Sequence, residues 1–74
     1  MADSVYRVTE LVGTSSESWE RAAAAAVETA SQTLRDLRIA EVLQLDLQLE
    51  NGQVRAYRAR IKVSFKYERG GDGQ

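Results

Sequence analysis

Gly13-Thr14-Ser15-Ser16-Glu17-Ser18-Trp19-Glu20 separates two periodicities, and its reading decides the fold. Before it, Ser4 to Val12 alternates loosely and is rich in β-branched residues (Val5, Val8, Thr9, Val12, with Tyr6), as a strand requires. Gly13 breaks that pattern. Thr14 and Glu17 fit a capping box that starts a helix near Thr14 to Ser16, with Ser15 or Ser16 as alternative N-caps. Glu17 and Glu20 place negative charge where the helix dipole favours it. Trp19, Ala22, Ala23, Ala26, Val27, Ala30, Leu34 and Leu37 then recur at helical spacing and form one apolar stripe. Glu20, Arg21, Glu28, Gln32, Arg35 and Asp36 occupy the opposite face. Ala22 to Ala26 favour helix and allow close approach to a sheet, and the helix is expected to end around Asp36 to Arg38.

Downstream, Ile39 to Glu50 and Gln53 to Tyr67 read as two long strands joined at Asn51-Gly52, a strong hairpin signal. Face matching sets their register. Leu43, Leu45, Leu47 and Leu49 share one face of the first arm, and Tyr57, Ala59, Ile61, Val63, Phe65 and Tyr67 one face of the second. A strict two-residue loop would set Leu45 against Arg58. One further residue sets Leu47 against Tyr57, Leu45 against Ala59 and Leu43 against Ile61, and it brings Asp46 opposite Arg58 and Gln44 opposite Arg60. Because a one-residue slip flips a whole face, the second register is expected, with a three-residue loop or a bulge beside the turn. The adjacent apolar pair Val42-Leu43 points to a bulge there or to burial on both faces.

The expected fold is α+β in the order β-α-β-β, a three-stranded antiparallel sheet packed on one helix. One domain spans residues 1–68, followed by a polar, glycine-rich tail over 69–74 expected to be disordered. A chain of 74 residues has a small core, and this one has no cysteine and no histidine to reinforce it with disulfides or with thiolate or imidazole metal sites. One helix cannot cover two such long arms, so self-association is expected. The same absences, with no phosphate loop and no nucleophile elbow, leave no candidate catalytic residues and argue against an enzyme. A net charge of −1 argues against a general nucleic-acid binder, although Arg55, Arg58, Arg60, Lys62, Lys66 and Arg69 crowd the last third. That crowding reads as a solvated strand face or as an electropositive lining for an anion. Asp3 comes early with no apolar signal region after it, and no run is long enough to span a membrane, so a cytoplasmic protein is expected.

Several strings, in order and spacing, resemble the dodecins: Tyr6-Arg7-Val8, Glu10-Leu11-Val12-Gly13-Thr14-Ser15, Thr33-Leu34-Arg35, Ala40-Glu41-Val42, Tyr57, and Lys62-Val63-Ser64-Phe65. The similarity runs from about Val5 to Glu68. It implies a hollow dodecameric shell of identical subunits that holds flavins in pairs at subunit interfaces, as a non-catalytic store and buffer. The implied ligand is riboflavin or FMN, with FAD, CoA or calcium as further options.

The sequence departs from that family pattern at the ligand site. Flavin-binding members carry a tryptophan directly before the Ala-Glu-Val string, where this chain has Ile39, and a glutamine after the last-strand tyrosine, where it has Arg58. Isoleucine covers an apolar ring by area burial but lacks the π surface, worth about 0.5–1.5 kcal/mol more, and cannot donate an electron to excited flavin. Arg58 offers donors and a stacking plane but no acceptor, so a ring N–H would need another partner, such as Gln44. Ile39, Gln44, Asp46 and Arg58 are therefore the expected flavin-contacting residues. Plain structural roles compete: Ile39 closing the hairpin base, Arg58 pairing with Asp46, and Trp19 serving as a core residue. The Ser18-Trp19-Glu20 start, Ile39, Tyr57-Arg58 and Val63-Ser64-Phe65-Lys66 also resemble a calcium dodecin subgroup, for which Glu10, Glu41, Asp46 and Glu50 are the available carboxylates.

Overall fold

The computed structural model describes residues 3–66. Its elements run β1 (Tyr6–Ser15), α1 (Trp19–Thr33), β2 (Leu37–Glu50) and β3 (Gln53–Lys66). The sheet order is β1-β3-β2, and both outer strands are antiparallel to β3. The expected α+β fold is present, with the last strand at the centre. Tyr67 and the expected tail over 69–74 lie outside the described residues.

The helix starts later than the capping-box reading places it. Thr14 and Ser15 remain in β1, paired with Arg58 and Tyr57 of β3, so the ladder holds them extended. The N-cap is Ser18, whose hydroxyl accepts a hydrogen bond from the Arg21 backbone N–H at 3.0 Å. The Ser15 Oγ accepts from the Glu17 N–H at 2.9 Å, which turns the chain from strand to helix. At the other end the helix stops at Thr33. Asp36, at φ 58°, turns the chain into β2, which begins at Leu37.

Gly13 does not interrupt β1. It lies within the strand and is buried because α1 rests directly on it. A Cβ at Gly13 would run into the Ala22 carbonyl oxygen and sit 3.0 Å from the Ala26 Cβ. Glycine on the strand and alanine on the helix thus bring the two backbones together. The core consists of Ala22, Ala26 and Ala30 against Ala59, Ile61 and Val63, flanked by Leu11, Ala23, Val27, Leu34 and Leu37.

The hairpin keeps the register set by face matching over most of its length: Leu47 faces Tyr57, Asp46 faces Arg58, Leu45 faces Ala59 and Gln44 faces Arg60. The turn is tight, with Asn51 and Gly52 both at positive φ, and the extra residue is Arg55, bulged between Val54 and Ala56. A second irregularity lies at Leu43, as the Val42-Leu43 pair indicates, so Val42, not Leu43, faces Ile61. A third falls at Arg38 and sets Ile39 opposite Ser64. The chain measures 54 × 20 × 15 Å, and the hairpin extends well beyond the cover of α1.

Candidate functional site

Alternation along β3 divides the sheet into two chemical surfaces. Ala59, Ile61 and Val63 face the helix, while Arg58, Arg60, Lys62 and Ser64 face the other way. Opposite these polar residues stand Thr14, Val12, Glu10 and Val8 on β1, and Asp46, Gln44, Glu41 and Ile39 on β2. Among the described residues no helix covers this open face. All four expected contact residues, Ile39, Gln44, Asp46 and Arg58, lie on it.

They do not form one cluster within a protomer. Ile39 pairs with Ser64, six β3 positions from Arg58, a separation of about 20 Å along the strand. One end of the face holds Gln44, Asp46, Arg58 and Arg60. The other end is a cleft of about 230 Å³ lined by Val8, Ile39, Glu41, Lys62 and Ser64. Ile39 is 62% exposed and does not close a protomer core.

Arg58 and Asp46 form a two-pronged ion pair, Arg58 Nε to Asp46 Oδ1 at 2.8 Å and Arg58 Nη2 to Oδ2 at 3.0 Å. Hydrogen bonding from Arg58 holds the Asp46 carboxyl below the usual aspartate range, against the opposing effect of desolvation, and the charges of Arg58 and Arg60 add to it. The same bond raises the Arg58 pKa and keeps the guanidinium charged. Arg60 approaches Glu10 at 3.8 Å, and Lys62 stands between Glu10 and Glu41 in register. The basic row of β3 is thus matched by acids on both neighbouring strands. The face is electrically mixed and not the electropositive lining that composition allowed. It offers donors (Arg58, Arg60), acceptors (Asp46) and an amide with both (Gln44) at one end, and aliphatic walls at the other. These residues fit the polar edge of a planar heteroaromatic ring and, separately, its apolar face.

Among the described residues no group of three or more carboxylates converges in a way that could hold a metal ion. Of the four carboxylates available for calcium, Asp46, Glu10 and Glu50 each have an arginine partner, Arg58, Arg60 and Arg55. Among the described residues no helix is long and apolar enough to cross a membrane.

Trp19 has a place that its spot on the apolar stripe did not reveal. It is half-buried, its Nε1–H donates to the Asp46 carbonyl at 3.0 Å, and its ring meets Tyr57 edge-on with centroids 5.2 Å apart. A lone tryptophan at a helix start gives no signal of a partner 27 residues away; only the folded hairpin brings them together.

The dodecin family model matches residues 5–68. The chain belongs to the dodecin family. It is 43% identical over 63 residues to calcium dodecin of Mycobacterium tuberculosis, covering 85% of this chain and 89% of that protein. The solved structure of that relative, a calcium-chelating antigen with a calcium-binding site, superposes with a TM-score of 0.78 at 40% identity, covering 89% of this chain and 94% of that one. The structure of dodecin from Streptomyces coelicolor gives a TM-score of 0.86 at 44% identity, covering 95% of this chain and all of the other. Dodecin of Thermus thermophilus is 39% identical over 64 residues, 86% of this chain and 93% of that protein. The match spans strands, helix and turn alike, so this chain has the dodecin scaffold from β1 to β3.

Proposed function

We propose that this dodecin is a non-catalytic flavin store, a homododecameric cytoplasmic shell that holds riboflavin or FMN on the open faces of its sheets. The observation that carries this reading is the division of that face. Gln44, Asp46 and Arg58 supply donors and acceptors for a ring edge, and Ile39 supplies an apolar cover about 20 Å away along the strand. One ring cannot rest on both ends of one protomer, so the cover comes from Ile39 of another copy, and the seat lies where subunits meet. On the other side of the sheet, the β2 leucines that α1 leaves exposed supply a further apolar surface for association. The protein's own part is to bind, orient and shield the flavin; the flavin supplies its colour and redox chemistry.

Titration of riboflavin and of FMN into the purified oligomer, followed by flavin fluorescence, tests this reading. Binding at micromolar ligand is expected, with weaker quenching than an indole platform gives. Absence of binding at that concentration rejects it. Ile39→Trp should tighten binding and deepen quenching; an unchanged affinity would remove Ile39 from the seat.

A second reading, a shell that binds calcium, is favoured by the 43% identity to a calcium dodecin. Calcium would have to gather carboxylates from several copies and draw Asp46, Glu10 or Glu50 away from its arginine. A fall in the melting temperature of the oligomer on chelation supports it, and indifference to chelator excludes it.

A further inference from the structure

The Asp46–Arg58 pair is backed from the other side of the sheet by Trp19. The indole donates to the backbone carbonyl of Asp46 and packs edge-on against Tyr57 at an interplanar angle of 77°. Tyr57 directly precedes Arg58, and it faces Leu47, which directly follows Asp46. One side chain on the helix face therefore touches the backbone of one partner of the ion pair and the chain neighbour of the other.

The pair needs such a tie. Its side chains are 41% and 38% exposed, and exposed ion pairs hold a single geometry poorly because both side chains lose entropy in doing so. β2 is an edge strand, paired on one side only. The regular stretch from Gln44 to Gln48 is bounded at each end by a register shift, and Asp46 is its central residue. A strand segment between two bulges and paired on one side only has fewer backbone hydrogen bonds to hold its orientation than a central strand has. Trp19 fixes its midpoint to the start of α1, whose own position is set by the close approach of Ala22 and Ala26 to Gly13.

We infer that Trp19 is a positioning residue for ligand binding, holding the Asp46–Arg58 pair from beneath the sheet in the arrangement presented to the ligand. The inference rests on the reading of the open face as the ligand seat. Its physical basis is preorganisation: a donor–acceptor array already fixed loses less freedom when a ligand arrives. The charged groups facing Asp46 are Arg58 and Arg60 of β3, with Glu10 of β1 behind Arg60. A looser Arg58 contact therefore shows as a weaker hold on the Asp46 proton equilibrium.

The test replaces the indole N–H alone. Incorporation of β-(3-benzothienyl)alanine at position 19 keeps the bicyclic ring and its edge against Tyr57 and removes the donor; Trp19→Phe is the genetically encoded companion. The assembled protein, labelled with ¹³C at aspartate carboxyls, is titrated without ligand, and FMN binding is measured across pH. In the wild type Asp46 should titrate below the ordinary aspartate range. In the benzothienyl protein its titration should move up toward that range. FMN affinity should fall about three- to tenfold, the worth of one hydrogen bond, and the acid limb of binding should move to higher pH. An Asp46 titration and acid limb identical to wild type would overturn the inference. Failure of Trp19→Phe to assemble leaves the decision with the benzothienyl protein. If the wild type takes up no FMN, the flavin reading fails, and the ligand-free Asp46 titration alone decides the role of Trp19.

Discussion

β2 and β3 are equally long and similarly patterned, yet they end in different environments. On β3, Ala59, Ile61 and Val63 are fully covered. On β2, Leu45, Leu47 and Leu49, on the same side of the sheet, remain 48%, 41% and 61% exposed. Hydrophobic alternation decides which face a residue takes, and the position of the helix decides whether that face is covered. Gly13 and the alanines draw α1 over β1 and β3, leaving the leucine row of β2 outside. β3 supplies the buried core, and β2 carries an apolar row that lies outside it.

The largest effect is expected at the seat of the helix. Gly13→Val places a branched side chain where the Ala22 carbonyl lies, and we expect no folded protomer by circular dichroism; a cooperative native melt would show that α1 can seat elsewhere. Next in size is association. Leu45→Asp with Leu47→Asp should keep the helix and sheet signals and give particles of subunit size in sedimentation, because these positions lie outside the protomer core. Retention of the wild-type size would mean that the β2 face is not an interface. A graded contrast follows within the sheet. Ile61→Ala should cost about 2–5 kcal/mol in denaturant unfolding, and Leu49→Ala, at the exposed tip, about 1 kcal/mol or less in a dissociated protomer. Equal losses at the two positions would abolish the distinction between the strands.

The smallest effect belongs to the ion pair. Because the folded-state pKa of Asp46 is depressed, the contribution of the pair is fully present above the unfolded aspartate value of about 3.9 and is lost as pH falls through the lower folded-state value. The stability difference between wild type and Asp46→Asn should therefore narrow below about pH 4. A difference that stays constant down to strong acid would show that Asp46 acts through packing and not through its charge.

Much of this was legible in the sequence because the physics is local or periodic. Asn51-Gly52 specifies a tight turn, and matching apolar faces is enough to place Asp46 opposite Arg58. The adjacent Val42 and Leu43 mark their own bulge. Thr14 and Ser15 were misleading because their capping chemistry is real but the pairing of β1 with β3 outweighs it and leaves Ser18 as the cap. Gly13 reads as a breaker from composition, and only the helix resting on it shows that its missing side chain is the point of closest approach. At the site, strand alternation gathers Ile39, Gln44, Asp46 and Arg58 on one face, but distance along a strand cannot be seen as a division until the pairing fixes it. The part played by Trp19 depends on a contact across 27 residues, which no local pattern encodes.

The central position of β3 governs how the chain can reach its native state. Among the described residues β1 pairs with β3 alone, and the Tyr6–Lys66 pair closes a loop of nearly the whole described chain. The β2–β3 hairpin, with its two-residue turn, can form on a timescale of about 1–10 μs, whereas the closure onto β1 is long-range and slow. During synthesis β1 and α1 leave the ribosome first, with nothing to pair against until β3 follows. Until β3 is made, the first strand has an unpaired edge, and its pairing waits on the last strand of the sheet.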